Sequence, residues 1–509
     1  MHKPIWKRCK TRLVNRQKMK KLKRKDFIKK IVVLTAATAV MPKILFAGNV
    51  KPFSAVRMPV DLSVFSFNEN ALIDLHCHPS LKMYLMKKKM WKRHWLRSPG
   101  DNDLHMQEDL HEFSAGNVRG MVATHYLPES GVETQWSTAK SLWNILRHFY
   151  IGEQIESEDG HNFDQINEML TDLEKQIIVT NQKQDRVQFV IACSYKEFIQ
   201  ALNDPAGNII PMAHAIEGAH SLGRNVPVTA KKENDPNYKK FPMTHGIESK
   251  TDSSLYLERL QLLKERGVCL ITLGHFFKND LVYPVDGISP NDKKFPGMAW
   301  EFTPDKDHKL TQIGCDVVTQ MLTTGMIVDL THSAPGCRRD VFDINRDLNK
   351  KRKVPRPLVF THVGAQRIFD YYDQGHYPYY KYYDVSDEEI DWICECNGVI
   401  GVIPENFWLV GADTHLHKEF PPKQFQNGIS YMIETMKYIN SKTWTKDYDN
   451  VGIGTDFDGL ADNPKDLYLN SQLSALFQAM ELDGEFTAEQ IKKITRTNAL
   501  RLLETGLGD

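Results

Sequence analysis

The sequence has few cysteines and no long hydrophobic run. Eight cysteines in 509 residues are too few for a disulfide-stapled scaffold. Cys394 and Cys396 lack the C-x-x-C spacing of zinc and redox motifs, so we interpret this pair as structural. An apolar stretch at residues 31–41 is much shorter than the roughly 20 residues that a membrane-spanning helix needs. Internal repeats and low-complexity tracts are also missing, which excludes disordered and collagen-like classes.

Acidic residues are scarce at the N-terminus. Residues 1–48 hold 15 Lys and Arg and a single acid, Asp26. The remainder therefore carries 50 basic and 63 acidic residues, a formal charge of −13. A basic leader in front of an acidic body argues against nucleic acid as a partner.

The basic leader has the features of an export signal. Its cationic start precedes the apolar stretch 31–41, which suits the hydrophobic region of a signal peptide. Residues 24–29 resemble a twin-arginine export motif with Lys25 in place of the second arginine. We predict a leader at 1–48, a connector at 49–70 and one folded domain at 71–509. The protein is then periplasmic, or membrane-associated through its N-terminal segment; general secretion and an uncleaved anchor are alternatives.

Short apolar runs alternate with helix-like segments in the predicted domain. Eight runs predict buried strands: 72–76, 118–124, 209–217, 268–275, 326–332, 357–362, 399–403 and 451–456. Strands separated by helical patterns are typical of βα units, and eight of them predict a closed (β/α)8 TIM-type barrel. A ninth run, 187–192, is an edge strand or an extra hairpin. Helical spacing of Tyr256, Leu260 and Leu263 predicts a barrel-covering helix at 254–266, and weaker patterns occur at 390–394 and 429–439.

Three polar or tyrosine-rich stretches, 224–252, 279–307 and 369–383, each follow a predicted strand. We interpret them as loop insertions. In a βα barrel such loops lie on the C-terminal face, where the active site is found. They are candidate lid or specificity loops, with plain surface padding as the alternative for the first.

The first predicted strand runs into His76-Cys77-His78. Side chains at i and i+2 of a strand project from the same face. His76 and His78 can therefore direct two imidazoles at one point, while Cys77 faces away. A pair of hydrogen-bonded core histidines is the alternative for this motif alone.

Four later predicted strands end on further metal-binding residue types, namely Glu217, His332, His362 and Asp456. Imidazoles and carboxylates without thiolates suit Zn²⁺ best, with Mn²⁺, Fe²⁺ or Co²⁺ as alternatives. Two divalent ions about 3.5–4 Å apart can share a carboxylate, polarise a carbonyl and provide a hydroxide nucleophile near neutral pH. Asp74 is a candidate for fixing a histidine tautomer, with a solvated or helix-capping role as the alternative.

The order of these motifs resembles the membrane (renal) dipeptidase family of the amidohydrolase superfamily. The matching stretches are 216–222, 329–333, 361–362 and 452–459. The resemblance covers about residues 70–505, interrupted by the insertions. It implies a (β/α)8 barrel with a binuclear zinc site.

The resemblance also implies a role for each candidate residue. The metal ligands form two sets that share one carboxylate: His76, His78, Glu217 and Asp456, and Glu217, His332 and His362. Glu217 would bridge the ions, and Asp456 would lie beside the attacking water and the substrate's amino group. His275 would bind the substrate and stabilise the oxyanion. From the residues alone, His275 is a hydrogen-bond donor on the rim of the barrel, or a structural histidine.

Two positions depart from the family pattern. The family usually has His-x-Asp on the first strand, so His78 replaces an anionic ligand by a neutral one. Aligning on residues 384–387 places Tyr382 and Tyr383 where the family has the arginine pair that binds the substrate's carboxylate. Arg367 is the candidate replacement, and a surface or capping arginine is the alternative.

The sequence therefore predicts an exported dipeptidase that uses two divalent ions, with Zn²⁺ as the best fit, on a small peptide substrate. Hydrolysis of a lactone, phosphotriester or cyclic amide is one alternative. Many of those sites bridge their metals with a carboxylated lysine, so Glu217 favours the dipeptidase. A non-catalytic metal-binding barrel is the other alternative. The oligomeric state stays open, with a homodimer as one option.

Overall fold

The computed structural model describes these parts of the chain: 71–93, 106–127, 161–184, 187–223, 252–276, 279–285, 308–373, 380–410, 428–459 and 463–508. The predicted leader and connector lie outside the described residues. So do residues 224–251 and 286–307, which make up most of two predicted insertions. Within the described residues, no helix is long and apolar enough to cross a lipid bilayer.

Nine strands form one sheet. They are β1 (Leu72–Cys77), β2 (Val118–Tyr126), β3 (Gln188–Ile191), β4 (Ile209–Glu217), β5 (Val268–Thr272), β6 (Ile327–Asp329), β7 (Leu358–Val363), β8 (Val399–Val402) and β9 (Val451–Ile453). Their order is β1-β2-β4-β5-β6-β7-β8-β9, with β3 paired to β4 off this path. All of these pairings are parallel. The ninth predicted run is therefore an edge strand, and the hairpin alternative is wrong.

The two ends of the sheet meet just beyond β1 and β9. Cys77 and Phe457 form a parallel bridge. The amide of Asp456 donates to the carbonyl of His76 at 2.8 Å, and the amide of His78 donates to the carbonyl of Phe457 at 2.8 Å. The predicted (β/α)8 TIM-type barrel is confirmed.

Helices alternate with the strands along the chain. They are α1 (Leu81–Met86), α2 (Leu110–Ala115), α3 (His161–Lys183), α4 (Tyr195–Leu202), α5 (Ser254–Glu265), α6 (Gln312–Thr324), α7 (Pro335–Asn349), α8 (Gln366–Asp373), α9 (Asp387–Glu395), α10 (Asn406–Val410), α11 (Gly428–Lys442), α12 (Leu473–Asp483), α13 (Ala488–Lys492) and α14 (Asn498–Leu507). The predicted helices at 254–266, 390–394 and 429–439 correspond to α5, α9 and α11. The third predicted insertion, 369–383, is partly helical, because it begins inside α8 and ends in a 3-10 turn, Tyr380–Tyr383.

Apolar burial follows the helical and strand periods. Tyr256, Leu260 and Leu263 of α5 are buried, as their spacing predicts. Leu502 and Leu503 of α14 pack in one cluster with strand residues such as Leu270. The C-terminal helix therefore completes the packing of the barrel.

Three strands stop before the candidate site residues that they were predicted to include. β5, β6 and β9 end at Thr272, Asp329 and Ile453, so His275, His332 and Asp456 lie in the loops that follow. His332 and Asp456 have φ angles of 65° and 51°. A strand cannot continue through left-handed backbone, which non-glycine residues rarely adopt. Such strain at two candidate ligands is typical of functional sites.

Candidate metal centre

Glu217, the last residue of β4, lies at the centre of a group of imidazoles. Its Oε1 is 3.2 Å from Nε2 of His332 and 3.4 Å from Nε2 of His362. Its Oε2 is 3.3 Å from Nε2 of His78 and 3.6 Å from Nε2 of His275. The side chain is only 2% exposed. One buried carboxylate thus reaches imidazoles through both of its oxygens, as a bridging ligand does.

One group of ligand atoms comes from the place where the barrel closes. Nε2 of His78 lies 2.9 Å from Oδ1 of Asp456 and 3.1 Å from Nε2 of His76. Nε2 of His76 is in turn 3.5 Å from Oε1 of Glu217. These atoms converge because β1 and the loop after β9 are hydrogen-bonded to each other. The predicted set His76, His78, Glu217 and Asp456 is brought together.

The second group comes from the loop after β6 and from β7. Nε2 of His332 and Nε2 of His362 are 3.0 Å apart. Both nitrogens face Oε1 of Glu217, which has no hydrogen-bond partner of normal geometry among the described residues. A buried carboxylate oxygen in this position is stabilised by a cation. The nitrogen and oxygen donors fit a divalent metal of the zinc type.

A threonine hydroxyl fixes the orientation of two of these imidazoles. Oγ1 of Thr361 lies 2.6 Å from Oδ2 of Asp329, to which it donates its proton. The same oxygen is 3.1 Å from Nδ1 of His76 and 2.9 Å from Nδ1 of His362. Its lone pairs must then accept both Nδ1 protons. We therefore assign both rings the tautomer that leaves Nε2 free to bind a metal.

Asp74 was predicted to fix a histidine tautomer, but its hydrogen bonds go to other groups. Its Oδ1 accepts from the backbone amides of His76 and Thr455, and its Oδ2 accepts from the Thr455 hydroxyl at 2.6 Å. Asp74 therefore fastens β1 to the loop that carries Asp456. The tautomer role falls to Asp329, which the sequence places at the head of the motif that contains His332.

The electrostatics of the cluster differ from one histidine to another. Burial alone would lower the pKa of His78, but the hydrogen bonds that it donates to Asp456 and Glu217 and the charges of these carboxylates raise it to about 10. Burial, reinforced by the charge of His76, moves the pKa of His362 well below its usual value. A proton and a metal ion therefore compete most directly at His78.

The carboxylate at the centre is held in its charged form. Burial alone would raise the pKa of Glu217, but the charges of His275 and His76 keep it well below its usual value. A charged carboxylate surrounded by imidazoles is an appropriate partner for two cations. Gly218, with a φ of 88°, turns the chain away directly after it.

His275 joins the cluster from the loop after β5. Besides its 3.6 Å contact with Glu217, its ring lies 4.2 Å from Tyr126 and 3.8 Å from Phe276, measured between centroids. Its ring is also edge-on to His332 at 4.7 Å. The structure thus places this predicted substrate-binding residue beside the candidate ligands.

An aromatic wall that the sequence did not reveal covers the second group of ligands. Trp408 of α10 stacks on His362 with an interplanar angle of 13° and on Tyr383 with an angle of 9°. It also meets His332 edge-on at 5.2 Å between centroids. The available sequence signal was the position of Trp408 shortly after a predicted strand, where barrel loops line the site.

Arg367 is not brought to the cluster. It is exposed near the start of α8, and its charge acts on Asp387 of α9 and Tyr438 of α11. Its position fits the surface-arginine alternative, because a side chain on the outer side of a barrel helix points away from the strand ends. We therefore do not assign the substrate's carboxylate to it.

The comparison with protein families agrees with the geometry. A sequence model described as membrane dipeptidase, peptidase family M19, matches residues 229–506, which is more than half of the chain. The chain belongs to the membrane dipeptidase family. His275, His332, His362 and Asp456 fall inside the matched region. Three further candidate ligands precede the matched region, namely His76, His78 and Glu217. The fold brings them next to the candidate ligands inside that region.

Curated relatives of the family share part of their length with this chain. Dipeptidase aclJ of Aspergillus oryzae is 24% identical over 246 residues, which cover 48% of this chain and 46% of the relative. Dipeptidase tcpJ of Claviceps purpurea is 26% identical over 199 residues, 38% of each chain. The chain thus spans about half the length, or less, of these relatives.

Solved structures share the architecture over most of the chain. A dipeptidase AC of metallopeptidase family M19 has 17% identity and a TM-score of 0.56, covering 86% of this chain and 99% of its own. A metallopeptidase from Rhodobacter sphaeroides, liganded with a phosphinate mimic of the dipeptide L-Ala-D-Ala, has 17% identity, a TM-score of 0.57 and the same coverage. At this identity the likeness supports the barrel fold alone.

Proposed function

We propose that this chain is a metal-dependent dipeptidase with a binuclear site. The observation that carries the proposal is Glu217, whose two oxygens reach the imidazoles of both ligand groups within 3.6 Å. Membership of the membrane dipeptidase family supports amide hydrolysis as the chemistry. The solved relative bound to a dipeptide mimic supports a small peptide as the substrate class.

Metal binding, proton transfer and stabilisation of negative charge are assigned to different residues of this chain. Two divalent ions held at Glu217 would polarise the peptide carbonyl and activate a water molecule. Asp456 is the most exposed of the carboxylate ligands, with 15% of its side chain accessible, so it can accept a proton or hold the substrate's amino group. His275 presents an imidazole next to Glu217, where it can donate to developing negative charge.

Zn²⁺ is the proposed metal. The ligand set contains four imidazoles and two carboxylates, and it lacks sulfur. Such donors favour zinc over Mg²⁺ or Ca²⁺, which prefer oxygen alone. Metal analysis of the purified protein, with two zinc ions per chain expected, tests this part of the proposal.

The activity is tested by turnover on a panel of dipeptides that includes D-residues at the C-terminal position. Two bound ions and hydrolysis of several dipeptides are the expected result. Two bound ions without hydrolysis of any dipeptide would leave the metal site standing and defeat the proposed substrate. The panel also includes dipeptides with a C-terminal amide in place of the free carboxylate. This comparison tests the departure at Tyr382 and Tyr383, where the family has the arginine pair that binds the substrate's carboxylate.

A second candidate function is hydrolysis of an uncharged lactone, ester or cyclic amide. The ring of Trp408, which stacks on His362 and meets His332 edge-on, favours it, because it places an apolar side chain beside the candidate ligands; Tyr383, on which Trp408 stacks, is itself buried. The same preparation is assayed on lactones, cyclic amides and phosphotriesters. Turnover on these that exceeds turnover on every dipeptide would select the second candidate.

We also propose that residues 1–48 direct export to the periplasm or to the membrane surface. The cationic segment and the apolar stretch at 31–41 support this proposal. Cell fractionation and N-terminal sequencing of exported protein test it. An intact Lys30 on mature protein would contradict cleavage of the leader.

A further inference from the structure

A second buried cluster lies close to the metal centre but contains none of its ligands. The thiol of Cys77, a carboxylate oxygen of Asp74 and one of Glu108 lie within 4.8 Å of one another. All three residues are buried, and Glu108 is 0% exposed. Cys77 sits between the ligands His76 and His78 on β1, so its side chain points to the opposite side of the strand.

Glu108 carries the most unusual environment in this cluster. Neither of its carboxylate oxygens has a hydrogen-bond partner of normal geometry among the residues that the structure describes. Burial, and then the charges of Asp458 and Asp74, raise the pKa of Glu108 well above its usual value. A buried carboxyl group in this position requires either a proton or a cation.

The nearby ammonium group is already engaged. Nζ of Lys82 lies 3.0 Å from Oδ1 of Asp458. Asp458 also accepts from the backbone amides of Gln107 at 2.7 Å and Glu108 at 3.2 Å. Lys82 therefore neutralises part of the charge of Asp458, one of the carboxylates whose charge acts on Glu108.

We propose that Asp74, Cys77 and Glu108 bind a third divalent cation of the zinc class, separate from the ions held at Glu217. Zinc binds cysteine thiolate and aspartate or glutamate oxygen, and this cluster supplies one sulfur and two carboxylates. A thiolate sulfur and a carboxylate oxygen on one zinc ion lie at most about 4.4 Å apart, since the two bonds are about 2.3 and 2.1 Å long. The three ligand atoms lie within 4.8 Å of one another, so they are within reach of one ion.

Both carboxylates retain oxygen lone pairs for such an ion. Neither oxygen of Glu108 has a hydrogen-bond partner of normal geometry in the described part of the chain, so this side chain can bind through one oxygen or two. Oδ2 of Asp74 accepts a hydrogen bond from the Thr455 hydroxyl, and a carboxylate oxygen can accept two. Bound there, the ion fastens the segment before α2 to β1. It is a structural ion, and it acts on catalysis only by holding β1 in place.

Spectroscopy with Co²⁺ tests the proposal directly. The Glu217 cluster offers only nitrogen and oxygen donors, so a thiolate-to-metal charge-transfer band in the near ultraviolet can come only from a cysteine. We expect the Co²⁺-loaded full chain to show this band and to bind three ions per chain. Two ions per chain and no such band would overturn the proposal and indicate that Glu108 holds a proton.

Variants assign the band to this cluster. Cys77→Ala should abolish the band and reduce the count from three ions to two. Cys269→Ala is the matched control, because Cys269 is an equally buried thiol on another strand, β5. A band that survives in Cys77→Ala and disappears in Cys269→Ala would overturn the assignment.

Glu108→Gln provides a test that leaves β1 intact. This substitution keeps the shape of the side chain and removes its charge, so affinity for the third ion should fall at least tenfold while two ions remain bound. Three tightly bound ions and an unchanged band in this variant would overturn the proposal. Failure of the dipeptidase assay with the band present would concern only the function of the Glu217 cluster, so the two proposals fail separately.

Discussion

Two buried polar clusters share β1 and differ in their donors. The Glu217 cluster surrounds carboxylates with imidazoles, whereas the cluster of Asp74, Cys77 and Glu108 contains acids and a thiol without an imidazole. Imidazoles bind a metal ion in their neutral form, so the first cluster can hold its ions without a large excess of negative charge. One of its ligands, Asp456, is partly open to solvent. The second is closed. The two clusters beside β1 thus differ in donor chemistry and in access to solvent, as a candidate catalytic site differs from a proposed structural site.

The largest expected effect distinguishes the central carboxylates of the two clusters. Glu217→Gln removes the negative charge that both ligand groups share, so both ions should be lost. We expect kcat/KM for the best substrate to fall about 10³-fold or more, equivalent to about 4 kcal/mol of transition-state stabilisation. Metal content and kinetics are measured on the same preparation.

Two control variants sharpen this test. Glu174→Gln changes a partly exposed carboxylate of α3 and should leave metal content and activity unchanged. Glu108→Gln should keep the two ions at Glu217 and most of the activity. Equal losses of activity in Glu108→Gln and Glu217→Gln would erase the distinction between the clusters.

The next effect concerns the hydroxyl that orients two imidazoles. Thr361→Val preserves the shape of the side chain but removes the acceptor for Nδ1 of His76 and His362. Loss of such an orienting partner typically lowers metal affinity 10- to 100-fold, and we expect about this reduction at the Glu217 cluster. Titration against a competing chelator measures it.

A buried threonine elsewhere is the control for this substitution. Thr435 of α11 is buried, and its hydroxyl has no hydrogen-bond partner of normal geometry within the described part of the chain. Thr435→Val should leave metal affinity unchanged. Wild-type affinity in Thr361→Val would show that Thr361 does not set the tautomers.

The sequence predicted the barrel and the candidate ligands because both depend on local patterns. The strand 209–217 was predicted with its observed bounds, and alternation along β1 placed Cys77 opposite His76. The roles of Asp329 and Thr361 were not predictable, because they depend on hydrogen bonds between β5, β6 and β7. The helix α3 was not predicted, although Ile166, Leu170 and Leu173 have helical spacing.

A moderate effect concerns pH and separates His78 from the other ligands. Hydrogen bonds that His78 donates to Asp456 and Glu217 overcome burial and raise the pKa of His78 to about 10, so a metal ion must displace a proton from it below that pH. Metal affinity should therefore increase with pH, by at most about tenfold per pH unit for one proton. Chelator competition between about pH 6.5 and 8.5 measures the slope.

His78→Asp tests the cause of this dependence. It restores the His-x-Asp pattern that the family usually has and removes the proton of the imidazole. The slope of affinity against pH should decrease by about one proton. An unchanged slope in a variant that still binds metal would mean that another ligand carries the displaced proton.

The smallest expected effect concerns the aromatic wall beside the Glu217 cluster. Trp408 contacts His332 and His362 through its ring faces and edges and binds no metal, so Trp408→Leu should leave two ions in place. An aromatic contact between Trp408 and the substrate would be worth about 0.5–1.5 kcal/mol, so we expect its loss to raise KM about 2- to 12-fold. Trp444→Leu, at an exposed tryptophan, is the control and should change neither KM nor kcat. If Trp408→Leu lowered kcat and metal content together, Trp408 would be holding the metal-binding histidines in place. The difference between the two clusters would then lie in packing and not in access to solvent.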